Sequence, residues 1–371
     1  MRTLPTSGWP ATLALLLVCG CGGPSATDGG KPGDQQVKDN DARKKQPVKV
    51  AFVSNNPAAF WTIGEAGARK AGEEFNAEVL FKRPAQGDAA QQKEVIDPLL
   101  NQGINAIAIS VIDPKNQTPY LDEIADKVPL LAVDNDAPKS KRLAYLGTSN
   151  YLAGRAVGKL IKEALPDGGT VAIFVGDLAP LNARQRRQGV IDELAGNPVP
   201  KNQDNFLPAE DGKTYGKYKV TRTYTDQPEG EQRAKENTVN ALTELQGERN
   251  VCLVGLWAYN PPAILSAVKD KDVAGKVKIV GFDEDFSTLT GIADGHIYAT
   301  VVQQPYQFGY QSVRLMAAIA RGDKSELPED GKIYIPYRII MKSAGPAKDG
   351  EPKREAVADF RAELQRLLGG K

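Results

Sequence analysis

Residues 104–133 read INAIAISVIDPKNQTPYLDEIADKVPLLAV, and this stretch decides the fold class. Ile104 to Ile109 and Leu130 to Val133 are short apolar runs bounded by turn formers, the pattern of buried strands. Between them, Thr118 followed by Pro119 suits the N-cap and first position of a helix. Strand, helix and strand in this order form a crossover unit, which joins parallel strands.

The same beat extends outward. Val48 to Val53 predicts a strand, and Ile63, Ala66, Ala71 and Phe75 share one face of the helix after it. Glu78 to Phe81 is a second strand, and Asp88 with Gln91 resembles a capping box for a helix that stops near Gly103. After Gly147-Thr148-Ser149-Asn150 the alternation restarts. It runs through helix Leu152 to Leu165, strand Thr170 to Val175 and helix Asn182 to Leu194. A polar insertion, Gly196 to Lys217, precedes strand Val220 to Tyr224, helix Glu231 to Leu245, strand Val251 to Leu256 and helix Pro262 to Val268. Strand Lys278 to Phe282, a helix near Leu289, strand Ala299 to Val302, helix Gln307 to Ala320 and a final strand Ile333 to Met341 follow. The expected class is α/β, with doubly wound parallel sheets covered on both faces.

A chain of 371 residues with this pattern makes about two globular units. Its 47 Lys and Arg balance 46 Asp and Glu, so no overall field attracts nucleic acid. Arg2, the apolar run Ala11 to Val18 and Gly20 read as a secretory signal too short to span a bilayer. Val18-Cys19-Gly20-Cys21 resembles a bacterial lipobox, which predicts lipid on Cys21 and an exported protein held at a periplasmic or cell-surface membrane. The segment 22–47 is a polar tether. Cys252, in the apolar run Val251 to Val254, reads as a small buried hydrophobe.

In open parallel sheets the ligand crevice lies beyond the carboxyl ends of the strands. There the sequence places Ser54-Asn55-Asn56, Asp113, Asp134-Asn135-Asp136, Arg184, Trp257-Ala258-Tyr259-Asn260, Asp283 and Gln303. Carboxylates, amides and a guanidinium suit neighbouring hydroxyl groups, and Phe60 and Trp61 offer flat surfaces to the C–H face of a sugar ring. Asn and Asp after a strand also form turns and helix caps, and aromatics also pack cores. The one histidine, His296, sits in a turn, and no nucleophile elbow, P-loop, dinucleotide fingerprint or metal-ligand spacing is visible; no catalytic residue, cofactor or metal is expected.

Five stretches, residues 51–68 (AFVSNNPAAFWTIGEAGA), 133–158 (VDNDAPKSKRLAYLGTSNYLAGRAVG), 182–190 (NARQRRQGV), 280–283 (VGFD) and 299–309 (ATVVQQPYQFG), are together similar to the periplasmic sugar-binding proteins of the ribose-binding type. The resemblance covers about Val48 to Ser343. It implies an N-terminal lobe of 48–148 plus 304–335 and a C-terminal lobe of 149–303 plus 336–371, with crossings near Thr148, Gln303 and Ile335. It implies that Asn56, Phe60, Trp61, Asp134, Arg184, Asp283 and Gln303 hold the ligand. Asn135 replaces an arginine of the ribose binders, and Tyr259-Asn260 replaces an Asn-Asp pair; both positions are carried as ligand residues and point to a ligand other than ribose. The implied function is a monomeric solute-binding protein that passes a small polar ligand to the membrane permease of an ABC importer. A co-receptor for a sensor kinase and, from another class, a secreted α/β enzyme are the alternatives.

Overall fold

The computed structural model describes residues 46–201, 203, 206, 212–227, 229–346 and 352–369. The expected signal peptide, Cys21 and all but the end of the tether lie outside the described residues, as does much of the insertion.

The chain runs through β1 (Val48–Val53), α1 (Phe60–Glu74), β2 (Ala77–Lys82), α2 (Ala89–Asn101), β3 (Ala106–Ile109), α3 (Pro114–Ala125), β4 (Leu130–Val133) and β5 (Ala144–Gly147). It continues through α4 (Asn150–Ala164), β6 (Gly169–Val175), α5 (Leu181–Ala195), β7 (Lys213–Tyr215), β8 (Tyr218–Thr225), α6 (Glu231–Glu244), β9 (Val251–Gly255) and α7 (Asn260–Asp270). Then follow β10 (Lys278–Phe282), α8 (Phe286–Asp294), β11 (Ala299–Val302), α9 (Pro305–Ala320), β12 (Lys332–Tyr334), β13 (Arg338–Met341), β14 (Arg354–Ala356) and α10 (Val357–Leu367).

Two sheets result, ordered β12-β5-β4-β3-β1-β2 and β14-β13-β11-β10-β9-β6-β8-β7. Each reverses its winding once, between β1 and β3 in the first and between β6 and β9 in the second, and such a reversal opens a crevice at the carboxyl ends of the strands. The central strands are buried on both faces, whereas the edge strands β2, β7 and β12 are partly exposed, so each sheet has two apolar layers. The pairing is parallel except at β7 with β8 and β11 with β13. Among the described residues, no helix is long and apolar enough to cross a membrane.

Glycines let paired helices touch. A Cβ on Gly309 of α9 would lie 1.8 Å from the Gly64 carbonyl oxygen of α1, and one on Gly154 of α4 would lie 2.1 Å from that of Arg186 in α5. The second contact fixes the height of α5, the helix that carries Arg184 and Arg186.

Three expectations are corrected. Thr118-Pro119 does not open α3: Asp113 caps Lys115 and Asn116, Pro114 takes the first turn, and the Thr118 hydroxyl donates back to the Pro114 carbonyl at 2.6 Å. The run Ile333 to Met341 is two strands in different sheets, parted at Ile335-Pro336-Tyr337, because a proline cannot donate to a ladder. The body does not end there, since β14 pairs with β13 and α10 covers it.

Candidate functional site

The two sheets present matching carboxylates. Asp134 follows β4 and Asp283 follows β10, and both have positive φ, 63° and 66°, a conformation that Asp tolerates better than most residues. Each is held in it the same way. The Asp134 N–H donates to the Leu146 carbonyl at 3.0 Å and the Asp283 N–H to that of Val301 at 2.8 Å, each on the neighbouring strand. The Tyr145 hydroxyl donates to the Asp134 carbonyl and the Thr300 hydroxyl to that of Asp283, both at 2.9 Å. Backbone constrained on both sides aims each side chain off the end of its sheet.

Arg186 lies between these acids, only 2% exposed. Its Nε donates to Asn150 Oδ1 and one terminal nitrogen to the Leu256 carbonyl, both at 2.9 Å, while the guanidinium stacks 3.9 Å from the Phe282 ring centre. Asp283 Oδ2 is 3.9 Å from that terminal nitrogen, an ion pair too long for a hydrogen bond. Burial pushes the Asp134 carboxyl up to about 6, opposed by the Arg186 charge and by a 3.0 Å hydrogen bond from the Ser110 hydroxyl. Burial also raises Asp283, against Arg186 and a 3.0 Å bond from the Gln303 amide. Two acids and one cation so placed need a further polar partner to satisfy both carboxylates.

Rigid frames hold the surrounding loops. In the first sheet, Gln92 crosses the winding reversal by donating to the Ser54 and Ser110 carbonyls at 3.0 and 2.8 Å, and Gln117 donates to Gln92 at 2.8 Å. In the second, Trp257 fills the space beside Gly176, where a Cβ would meet its ring at 1.9 Å. Several buried side-chain atoms at the strand ends and at the start of α5 have no hydrogen-bond partner: Thr148 Oγ1, Asn182 Oδ1, Arg184 Nε, Trp257 Nε1 and Gln303 Oε1. A small cavity of about 20 Å³, lined in part by Asn135, Thr148 and Asn182, lies at the first crossing. Buried polar atoms are normally paired, so these atoms have hydrogen-bonding capacity left for a polar guest.

The remaining predicted residues divide. Phe60 stays half-buried with its ring edge-on to Trp61, and Arg184 stacks at 5.0 Å on Phe206. Trp61 does not offer a stacking face: it is 1% exposed in the apolar layer between the first sheet and helices α1 and α9, edge-on to Phe52, with its indole N–H on Asn55 at 2.9 Å. Asn260 is likewise withdrawn, donating to Asp226 and accepting from the Trp257 N–H at 2.9 Å. Asn56 accepts the Ala58 N–H at 2.9 Å, a turn role, and Tyr259 accepts from Gln227 at 3.1 Å. The Asn135 amide donates to the Val111 carbonyl and accepts the Asn182 N–H. Asp136 of the same loop is bound by both arms of Arg142, and Asp113 is the cap already described. Arg186 was missed by sequence reasoning. Trp257 stood among the loop residues, and nothing there singled it out from its neighbours.

A family model described as a periplasmic binding protein domain matches residues 50–324. The ribose import binding protein of Salmonella typhimurium is 24% identical over 308 residues, 81% of this chain and 93% of that one. The xylitol-binding protein of Mycolicibacterium smegmatis is 23% identical over 332 residues, 89% of this chain and 85% of that one. A solute-binding protein of an ABC transporter from Burkholderia graminis, solved with D-arabinose, superposes with a TM-score of 0.70 at 24% identity, over 80% of this chain and 95% of that one.

Proposed function

The chain belongs to the periplasmic binding protein domain family, and from that premise we propose that it captures a monosaccharide or related polyol between its two lobes and delivers it to an ABC importer. The observation that carries this reading is the matched pair Asp134 and Asp283 around Arg186, with buried unpartnered donors and acceptors on the segments next to them in the chain. Neighbouring hydroxyl groups bridge two carboxylates and a guanidinium by accepting from one and donating to the others. Phe60 supplies an apolar face.

The lobes are 48–148 plus 304–335 and 149–303 plus 336–371, with hinges at the three crossings. A ligand held by both lobes binds the closed state better than the open one and shifts the population towards it. The closed shape is what the permease reads, and a sensor-kinase co-receptor is the reading set aside. Cys21 carries the lipid, and segment 22–47 gives the body reach. Cys21→Ser is expected to move the protein from the membrane pellet to the soluble extracytoplasmic fraction; unchanged pelleting would contradict the anchor.

The test of function is a thermal-shift panel of pentoses, hexoses and polyols. At least one raises the melting temperature, and Phe60→Ala lowers that gain as measured from the variant's own ligand-free melt, which itself falls because the ring also packs on Trp61 and Phe308. A flat response over the whole panel would overturn the sugar assignment.

A further inference from the structure

Helix α5 begins at Leu181 with Pro180 as its N-cap, and no side chain of its own loop caps it. The N–H groups of a first turn have no partner within the helix. That of Asn182 finds one on the other lobe: Asn135 Oδ1, at 3.3 Å, from the end of β4. Asn135 is 1% exposed. Its Nδ2 donates to Val111, its backbone N–H donates to the Val133 carbonyl at 2.7 Å, and its carbonyl accepts from the Val111 N–H at 3.3 Å. Three of these four bonds stay inside its own lobe and fix the side chain; the fourth crosses.

We infer that Asn135 is a latch between the lobes, capping α5 only when they meet, and is not a ligand group. This rests on the closing mechanism proposed above. The amide oxygen is engaged by the helix and one Nδ2 hydrogen by the Val111 carbonyl, which orients the side chain across the lobe boundary, so the latch favours the closed state whatever molecule lies between Asp134 and Asp283. It ties the first lobe to the helix that carries Arg184 and Arg186, whose guanidinium is already held by its own lobe, so closing the latch brings Asp134 up to Arg186 in the same movement. Its loss lowers affinity for every ligand by one common factor, because apparent affinity scales with the population of the competent state.

The experiment is Asn135→Ala in the full chain, with nitroxide labels on cysteines substituted at exposed Lys139 and Lys201 for dipolar distance measurement without ligand, and titration with each sugar that binds the wild type. The ligand-free closed-to-open ratio is expected to fall about five-fold, the yield of one neutral hydrogen bond, and all dissociation constants to rise by the one common factor that the measured closed populations of the two proteins dictate, about five where the closed state is the minor one. Losses that differ between sugars differing at a single hydroxyl, or no loss, would overturn the latch and return Asn135 to the ligand set. Should no sugar bind the wild type, the function reading fails, and the ligand-free distances alone decide the latch: an unchanged ratio overturns it. Asn135→Ser serves as the second variant if circular dichroism shows that the alanine form does not fold.

Discussion

Arg186→Ala is expected to lower the melting temperature by about 10 °C near neutral pH, the scale set by breaking a buried charge network at about 3–5 kcal/mol. The side chain is the cation nearest two buried acids and also satisfies Asn150 Oδ1 and the Leu256 carbonyl. Without it, Asp134 and Asp283 face each other across the cleft with their shared cation gone. The loss should shrink in acid. In the wild type, burial lifts the Asp134 carboxyl from 3.8 to about 6. The folded state therefore binds that proton more tightly than the unfolded one. The associated stabilisation is full below the unfolded value and disappears as pH rises through about 6. At about pH 5 the carboxyl is largely neutral and needs Arg186 less. Melts of both proteins at about pH 5 and about pH 7.5 check this: the gap between them narrows at the lower pH, and a gap independent of pH would show that Arg186 acts only through packing.

Asp134→Asn is expected to remove ligand stabilisation while leaving the fold nearly untouched. The amide keeps the size, accepts the Ser110 hydrogen bond and tolerates the positive φ, whereas alanine would add backbone strain. It also removes a buried charge, so the ligand-free melt should hold or rise slightly. On the proposed reading the lost groups are charge-assisted bonds to ligand hydroxyls, each worth about 1.5–3 kcal/mol, so affinity is expected to fall on the order of 100-fold or more. Calorimetric titration of wild type and variant with the best sugar from the panel measures it. A loss below about three-fold would mean that Asp134 holds the loop and not the ligand.

The lobes were legible because parallel strands buried on both faces write themselves as apolar runs between helices. The carboxylates were legible because they follow those runs directly. Trp61 was misjudged although its position carried a signal: Trp61, Gly64, Ala68 and Ala71 form one buried stripe of α1, which turns the indole inward and leaves Phe60 at the edge. Arg186 had no such signal. Helix α5 buries Asn182, Arg186, Arg187, Gln188, Asp192 and Glu193 as well as its apolar residues, so hydrophobic periodicity, the usual guide to the inner face, is nearly absent. A helix that buries polar and apolar residues alike suits a cleft between lobes. Pro336 was a readable break between β12 and β13, and the apolar residues on either side of it masked the change of sheet. The roles of Asn135 and Asn260 depended on partners 47 and 34 residues away, Asn182 and Asp226, which spacing along the chain does not reveal.

The central claim is that the carboxylates of two lobes grip one polyhydroxylated molecule. Native mass spectrometry of the gently purified protein, with the released small molecule identified, tests it most directly. The account predicts a pentose, hexose or polyol bound one to one on the wild type and lost from Asp134→Asn. A bound molecule without neighbouring hydroxyl groups, or one retained undiminished by Asp134→Asn, would contradict it.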